Sequence, residues 1–97
     1  MNMLNILEGA MKTINGIEYP GELLELLQEG NAVRINMAMP VRNEVHHIIK
    51  VVDEDYVVVK FWSRYKQRWI YEVNWLYKYL LDYNGENMEL VKKCLPK

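Results

Sequence analysis

From Lys60 to Val73 the chain reads Lys-Phe-Trp-Ser-Arg-Tyr-Lys-Gln-Arg-Trp-Ile-Tyr-Glu-Val, four cations, one anion and five aromatic rings in fourteen residues. Cations interleaved with rings can follow a phosphate backbone while bases stack, or can anchor a protein–protein contact. Two apolar strands flanking a basic centre predict a β-hairpin with a cationic tip. Trp62, Arg64, Tyr65, Lys66 and Arg68 are the candidate binding residues on that tip, with Lys60 and His46 behind them. Phe61, Trp69 and Tyr71 are explained by a core alone. Trp62 and Tyr65 are not, because the expected register places them in water.

The remaining reactive residue types do not assemble into chemistry. His46 and His47 are neighbours, and on a strand neighbours point to opposite faces, so they cannot easily share one metal ion. Glu44 and His46 share a face, but two ligands fall short of the four of a closed site. Ser63 has no carboxylate nearby to orient a histidine, and the chain carries no nucleophile elbow, phosphate-cradling glycine loop or paired-cysteine motif. Cys94 sits beside Lys92 and Lys93, yet a lone cysteine is ordinarily an inert small hydrophobe. The acidic run Asp53-Glu54-Asp55 is too short for a calcium loop and reads as a solvated turn. The expectation is a protein without catalytic residues, metal or cofactor.

Ninety-seven residues predict one domain, residues 1–97, able to bury one core with little surplus for a deep cleft. No apolar run approaches the roughly 20 residues of a membrane span, and the N-terminus lacks a secretory pattern. With one cysteine and no internal disulfide, these features predict a cytoplasmic protein that does not engage membrane. The net charge of −1 conceals a segregation. Residues 1–30 hold one lysine against five glutamates, −4; residues 31–80 hold eight Lys/Arg against five acids, +3; residues 81–97 balance. Such a dipolar chain is not a generic polyanion binder.

The elements that must position the basic segment follow from punctuation and periodicity. A short apolar pattern predicts a helical start within Met1–Ala10. Met11–Tyr19 reads as an extended piece broken by an Asn15–Gly16 turn. Pro20 then opens a helix whose stripe is Leu23, Leu24, Leu26 and Leu27, and Gly30 stops it. Val33–Met39, Glu44–Val52, Tyr56–Trp62 and Arg68–Val73 read as strands. Asn74 caps a helix over Trp75–Tyr83, and Met88–Leu95 is a further short helix or an edge strand. If Val52 opposes Tyr56, then Ile49 meets Val59 and His47 meets Phe61. If Trp62 opposes Arg68, then Phe61 meets Trp69, Val59 meets Tyr71 and Val57 meets Val73. One face then holds Val57, Val59, Phe61, Trp69, Tyr71 and Val73, and the opposite, half-wet face holds His46, Lys60, Trp62 and Arg68.

The predicted fold is α+β, an antiparallel meander of three or four strands over residues 32–73 packed against an N-terminal and a C-terminal helix. The strand–acidic turn–strand–loop–strand order over about thirty residues, with Asp55-Tyr-Val-Val-Val-Lys-Phe and Ile70-Tyr-Glu-Val within it, resembles SH3-like or Sm-like small barrels, which implies a barrel with flanking helices as the alternative fold. Val45–Val52 lacks the glycine that such barrels use to bend a long strand. Function follows by elimination. The expectation is a small binding module, a phage- or mobile-element-type regulator or inhibitor that docks on a host protein, perhaps one that handles nucleic acid. Direct binding of single-stranded nucleic acid is the rival, and a small-ligand-binding homo-oligomer is a third class.

Overall fold

The asparagine–glycine pair at 15–16 turns the first described segment back on itself. Asn15 at φ 50° and Gly16 at φ 82° take the left-handed pair of angles that matches strand twist in a two-residue hairpin. The computed structural model describes residues 10–38 and 41–92; the expected helical start at residues 1–9 and Cys94 lie outside them. Strands β1 (Met11–Ile14) and β2 (Ile17–Pro20) form this hairpin, a two-stranded sheet of their own.

Pro20 is the N-cap of α1 (Gly21–Leu26), six residues against the ten expected. The helix stops early because Asn31, itself buried, donates its side-chain amide to the carbonyls of Glu25 and Leu26 at 3.1 and 3.2 Å. Such a short helix is held by packing rather than by propensity. Leu23 is its wholly buried anchor.

Four consecutive antiparallel strands follow: β3 (Ala32–Ala38), β4 (Val41–Val52), β5 (Tyr56–Ser63) and β6 (Arg68–Trp75). The chain then forms α2 (Leu76–Asp82) and returns as β7 (Met88–Lys92) beside β3, giving one five-stranded sheet in the order β6-β5-β4-β3-β7. Tyr19, Leu23 and Leu27 from the hairpin and α1, Leu76 and Tyr79 from α2, and Val33, Ile35, Ile48, Val57, Val59 and Met88 from the sheet form the core.

The predicted fold class is corrected by this architecture. The protein is mostly sheet, seven strands in two antiparallel sheets. Its two described helices are six and seven residues long, and it is not a meander packed between an N-terminal and a C-terminal helix. Neither is it a barrel, since the described strand order is linear, with β6 and β7 as its edges. Asn74 does not cap a helix but lies within β6, and Trp75, the last residue of that strand, takes the N-cap position of α2. Of the two readings of the segment after Met88, the edge strand is the one adopted.

The register departs from expectation at two places. Val52 does oppose Tyr56 and Val51 opposes Val57, but a bulge lies between Ile48 and Lys50, so Ile48 meets Val59 and His47 meets Lys60. A bulge inserts one unpaired residue and turns over everything beyond it. In the second hairpin Ser63, not Trp62, opposes Arg68, and the loop is the four residues 64–67. Ser63 Oγ accepts from the Lys66 amide at 3.0 Å, Gln67 donates to the Arg64 carbonyl, and Gln67 takes φ 54°. This one-residue slip puts Trp62 opposite Trp69, Lys60 opposite Tyr71 and Val58 opposite Val73. Trp69, Tyr71 and Val73, expected in the core, therefore face water.

Candidate functional site

The two register changes collect rings on the face of the sheet turned away from the core. Trp62, Trp69, Tyr71, Val73 and Trp75 are 45, 44, 66, 65 and 60% exposed. They stand on β5 and β6 as cross-strand partners, Trp62 with Trp69 at one end and Tyr56 with Trp75 at the other. The Trp62 and Trp69 rings meet edge to face with centroids 5.7 Å apart, and Tyr56 and Trp75 lie 4.5 Å apart and tilted. These are favourable aromatic geometries that hold the rings in place before any partner arrives. Ring areas of 150–250 Å² and these exposures put roughly 300–550 Å² of aromatic surface in water, as much as the largest apolar patch of a typical monomer.

Cations thread this surface. Lys60 stands opposite Tyr71 and His47, with its Nζ 5.1 Å from the centre of the Trp69 ring. Lys50 stands opposite Val58 on the same face. The acids of β4 and β6 lie elsewhere: Glu44 and Glu72 belong to the covered side, in register with Ile35 and Val59. Arg64, Tyr65, Lys66 and Arg68 are exposed at the loop end, Tyr65 by 94%. Among the described residues none of Lys50, Lys60, Arg64, Lys66 and Arg68 is in an ion pair.

At the loop end the open face hollows into a cavity of about 400 Å³ walled by Val45, His47, Trp62, Trp69 and Val91, with Asn43, Glu44, Arg64 and Lys92 also lining it. His47 stands edge-on to Trp69 at 5.5 Å. Burial, then the neighbouring Lys60 and Lys92 charges, hold its imidazole below the ordinary histidine range. It is a neutral ring at pH 7, not a further cation.

His46 was expected among the binding residues on the wet face, and the structure corrects this. It is 3% exposed on the covered side, where its ring stacks on Phe61 at 5.1 Å. Its Nε2 lies 3.0 Å from Glu44 Oε1 and its Nδ1 3.0 Å from the Tyr79 hydroxyl. Asn74 Nδ2 donates to that same hydroxyl at 3.2 Å. One assignment satisfies every atom: Asn74 donates to Tyr79, Tyr79 donates to Nδ1, and Nε2–H donates to Glu44. Burial lowers the His46 pKa against the opposing hydrogen bond and charge of Glu44, and burial pushes the Tyr79 hydroxyl up to about 12. This chain fastens α2 to β4 and β6, which makes His46 a structural residue rather than part of the contact surface.

Of the seven residues singled out in the sequence, the structure brings Lys60, Trp62 and Arg64 together around Trp69. It leaves Tyr65 and Lys66 on the adjoining loop and Arg68 at the start of β6, and takes His46 away. Sequence reasoning missed Trp69, Tyr71, Val73, Trp75 and His47 as surface residues. The signal that could have found them is the covered side of β6, where Glu72 and Asn74 suit a hydrogen-bonded position better than Trp and Tyr do. Comparison with known proteins found no matching family model, no matching curated protein and no matching solved structure. No helix among the described residues is long and apolar enough to cross a membrane.

Proposed function

We propose that this chain is a non-catalytic binding module that acts by seating a partner on the open face of its five-stranded sheet, with the basic β5–β6 loop at one end of the contact. The observation that supports it best is the outward presentation of Trp62, Trp69, Tyr71 and Trp75 on a face that no described element covers. Exposed rings beside cations have the composition of binding hot spots. A module of this kind regulates or inhibits by occupancy.

The test compares wild type with a Trp62→Ser/Trp69→Ser variant, each immobilised and exposed to extract of the native host. Wild type retains a partner at defined stoichiometry, and the variant loses it while melting as wild type does. Equal retention by a well-folded variant removes the open face as the contact surface. A second reading, in which the loop leads the docking on a protein partner, is favoured by the 94% exposure of Tyr65 between Arg64 and Lys66. Arg64→Glu/Lys66→Glu abolishes binding in that case, whereas the ring variant reduces it only partly.

A further inference from the structure

We propose that the partner seated on the open face is a single-stranded nucleic acid, with one unstacked base held in the cavity between Trp62, Trp69 and His47. This rests on the open face being the contact surface, and adds the chemistry of what it contacts. On β6 the outward residues are Trp69, Tyr71, Val73 and Trp75, and alternate residues of a strand are about 7 Å apart. They form a row of flat apolar groups on which successive unpaired bases can stack. Beside the row, Lys60 and Lys50 project from β5 and β4, where they meet a phosphate backbone running along the strands.

Charge selects the occupant. The open faces of β5 and β6 present cations and no described carboxylate; Glu44, which also lines the cavity, is engaged by His46, and Glu89 on β7 is paired with Arg34. At the far end stands the acidic turn Asp53-Glu54-Asp55, with Asp53 and Glu54 in left-handed conformation and exposed. A polyanion is attracted at the Arg64 end and repelled at the Asp53 end, which limits the footprint to a few nucleotides. The cavity suits one base. At about 400 Å³ it is large enough for a nucleotide, its walls are mostly ring faces and aliphatic carbons with the cations Arg64 and Lys92 and the carboxylate Glu44 also lining it, and Asn43 offers an amide that both donates and accepts. Duplex is a poor fit, since its bases are already stacked and their faces unavailable.

The probes are a dT decamer, the matching U decamer of RNA and a duplex of equal length, titrated against the full chain with tryptophan fluorescence as the readout. Both single strands quench the fluorescence and bind at least tenfold more tightly than the duplex. A preference between dT and U identifies DNA or RNA as the natural source. Neutralising three phosphates weakens binding roughly 40-fold between about 50 and 300 mM salt. Trp69→Ala loses about tenfold or more, the usual cost of one stacked base, and Lys60→Glu flattens the salt dependence. Val45→Trp, which fills the cavity, lowers affinity for the single strands and leaves the melting temperature close to wild type. If neither single strand binds, yet Trp62→Ser/Trp69→Ser still loses the partner captured from extract, the nucleic-acid assignment is overturned and the partner is a protein. If the single strands bind equally to wild type and to that variant, both this assignment and the open-face reading are overturned.

Discussion

On the side of the sheet that meets the core, β5 contributes Val57 and Val59, both wholly buried, while β6 beside it contributes Ile70, Glu72 and Asn74. On the open side the order of polarity is reversed for β6: Trp69, Tyr71, Val73 and Trp75 are in water. The same two hydrogen-bonded strands thus follow opposite rules. In β5 apolar residues are interior because nothing polar is needed there. In β6 the interior positions serve the Asn74–Tyr79–His46–Glu44 chain, and a buried hydroxyl or imidazole without partners costs more than an exposed ring. Hydrogen bonding decides which side of β6 faces in, and the rings are left available for another molecule.

The contrast can be broken most forcefully at the core. Leu23→Ala removes a wholly buried side chain and costs about 2–5 kcal/mol in urea denaturation. A loss below 1 kcal/mol would mean that α1 contributes little to holding the sheet. Next in size, Tyr79→Phe deletes the hydroxyl that serves both Asn74 and His46. Its cost is about 1–3 kcal/mol, since the buried His46 and the half-buried Asn74 both lose their bond to it. A neutral result would show that the polar chain does not set the orientation of β6.

A smaller effect is expected from pH. Burial holds the His46 and His47 pKa values below the unfolded value near 6.5. Their neutral forms are favoured by the fold, so their contribution is complete above that value. It is lost as pH falls from about 6.5 toward the folded values, because the unfolded chain takes up protons first. Protonated Nδ1 also can no longer accept from Tyr79. Urea midpoints should therefore be lower at pH 5.5 than at pH 7.5, with a weaker dependence in His46→Asn. A midpoint that rises on acidification would contradict the assigned hydrogen-bond chain. The smallest effect belongs to the open face. Tyr71→Ser alters stability by about 0.5 kcal/mol or less, as exposed substitutions do. A loss near 3 kcal/mol would show that Tyr71 is covered in solution.

Local turn chemistry was the most legible part of the sequence. Asn15–Gly16 marked the first hairpin, Pro20 the helix that follows, and Asp53-Glu54-Asp55 a turn whose nearest pairs, Val52 with Tyr56 and Val51 with Val57, are as expected. The strands β3 to β6 lie close to their expected limits. What could not be read was parity. Nothing in Ile48-Ile49-Lys50 announces a bulge, and a loop of four rather than five residues after Ser63 leaves no mark in composition. Maximising apolar residues on one face then chose the wrong register, because it gave no weight to the hydrogen-bonding needs of Tyr79, thirty-three residues from His46. The pairing of β7 with β3 is likewise long-range, and a five-residue segment ending in a lysine carries helix and strand signals together. In the candidate site the cations were legible and half of the rings were not, for the same reason of parity.

The bulge at Ile49 gives β4 a reading frame. Towards Val52 the alternation of inward and outward residues is in one phase, and from Ile48 back towards Asn43 it is in the other. Deleting one codon there would restore uninterrupted pairing and shift no loop. It would also keep Ile48 opposite Val59 and His47 opposite Lys60, so that His46 stays beside Tyr79 and His47 beside Trp69. Insertions and deletions are usually tolerated in turns and costly within strands; here a single-residue deletion would heal the ladder and leave both the interior and the outer surface in place.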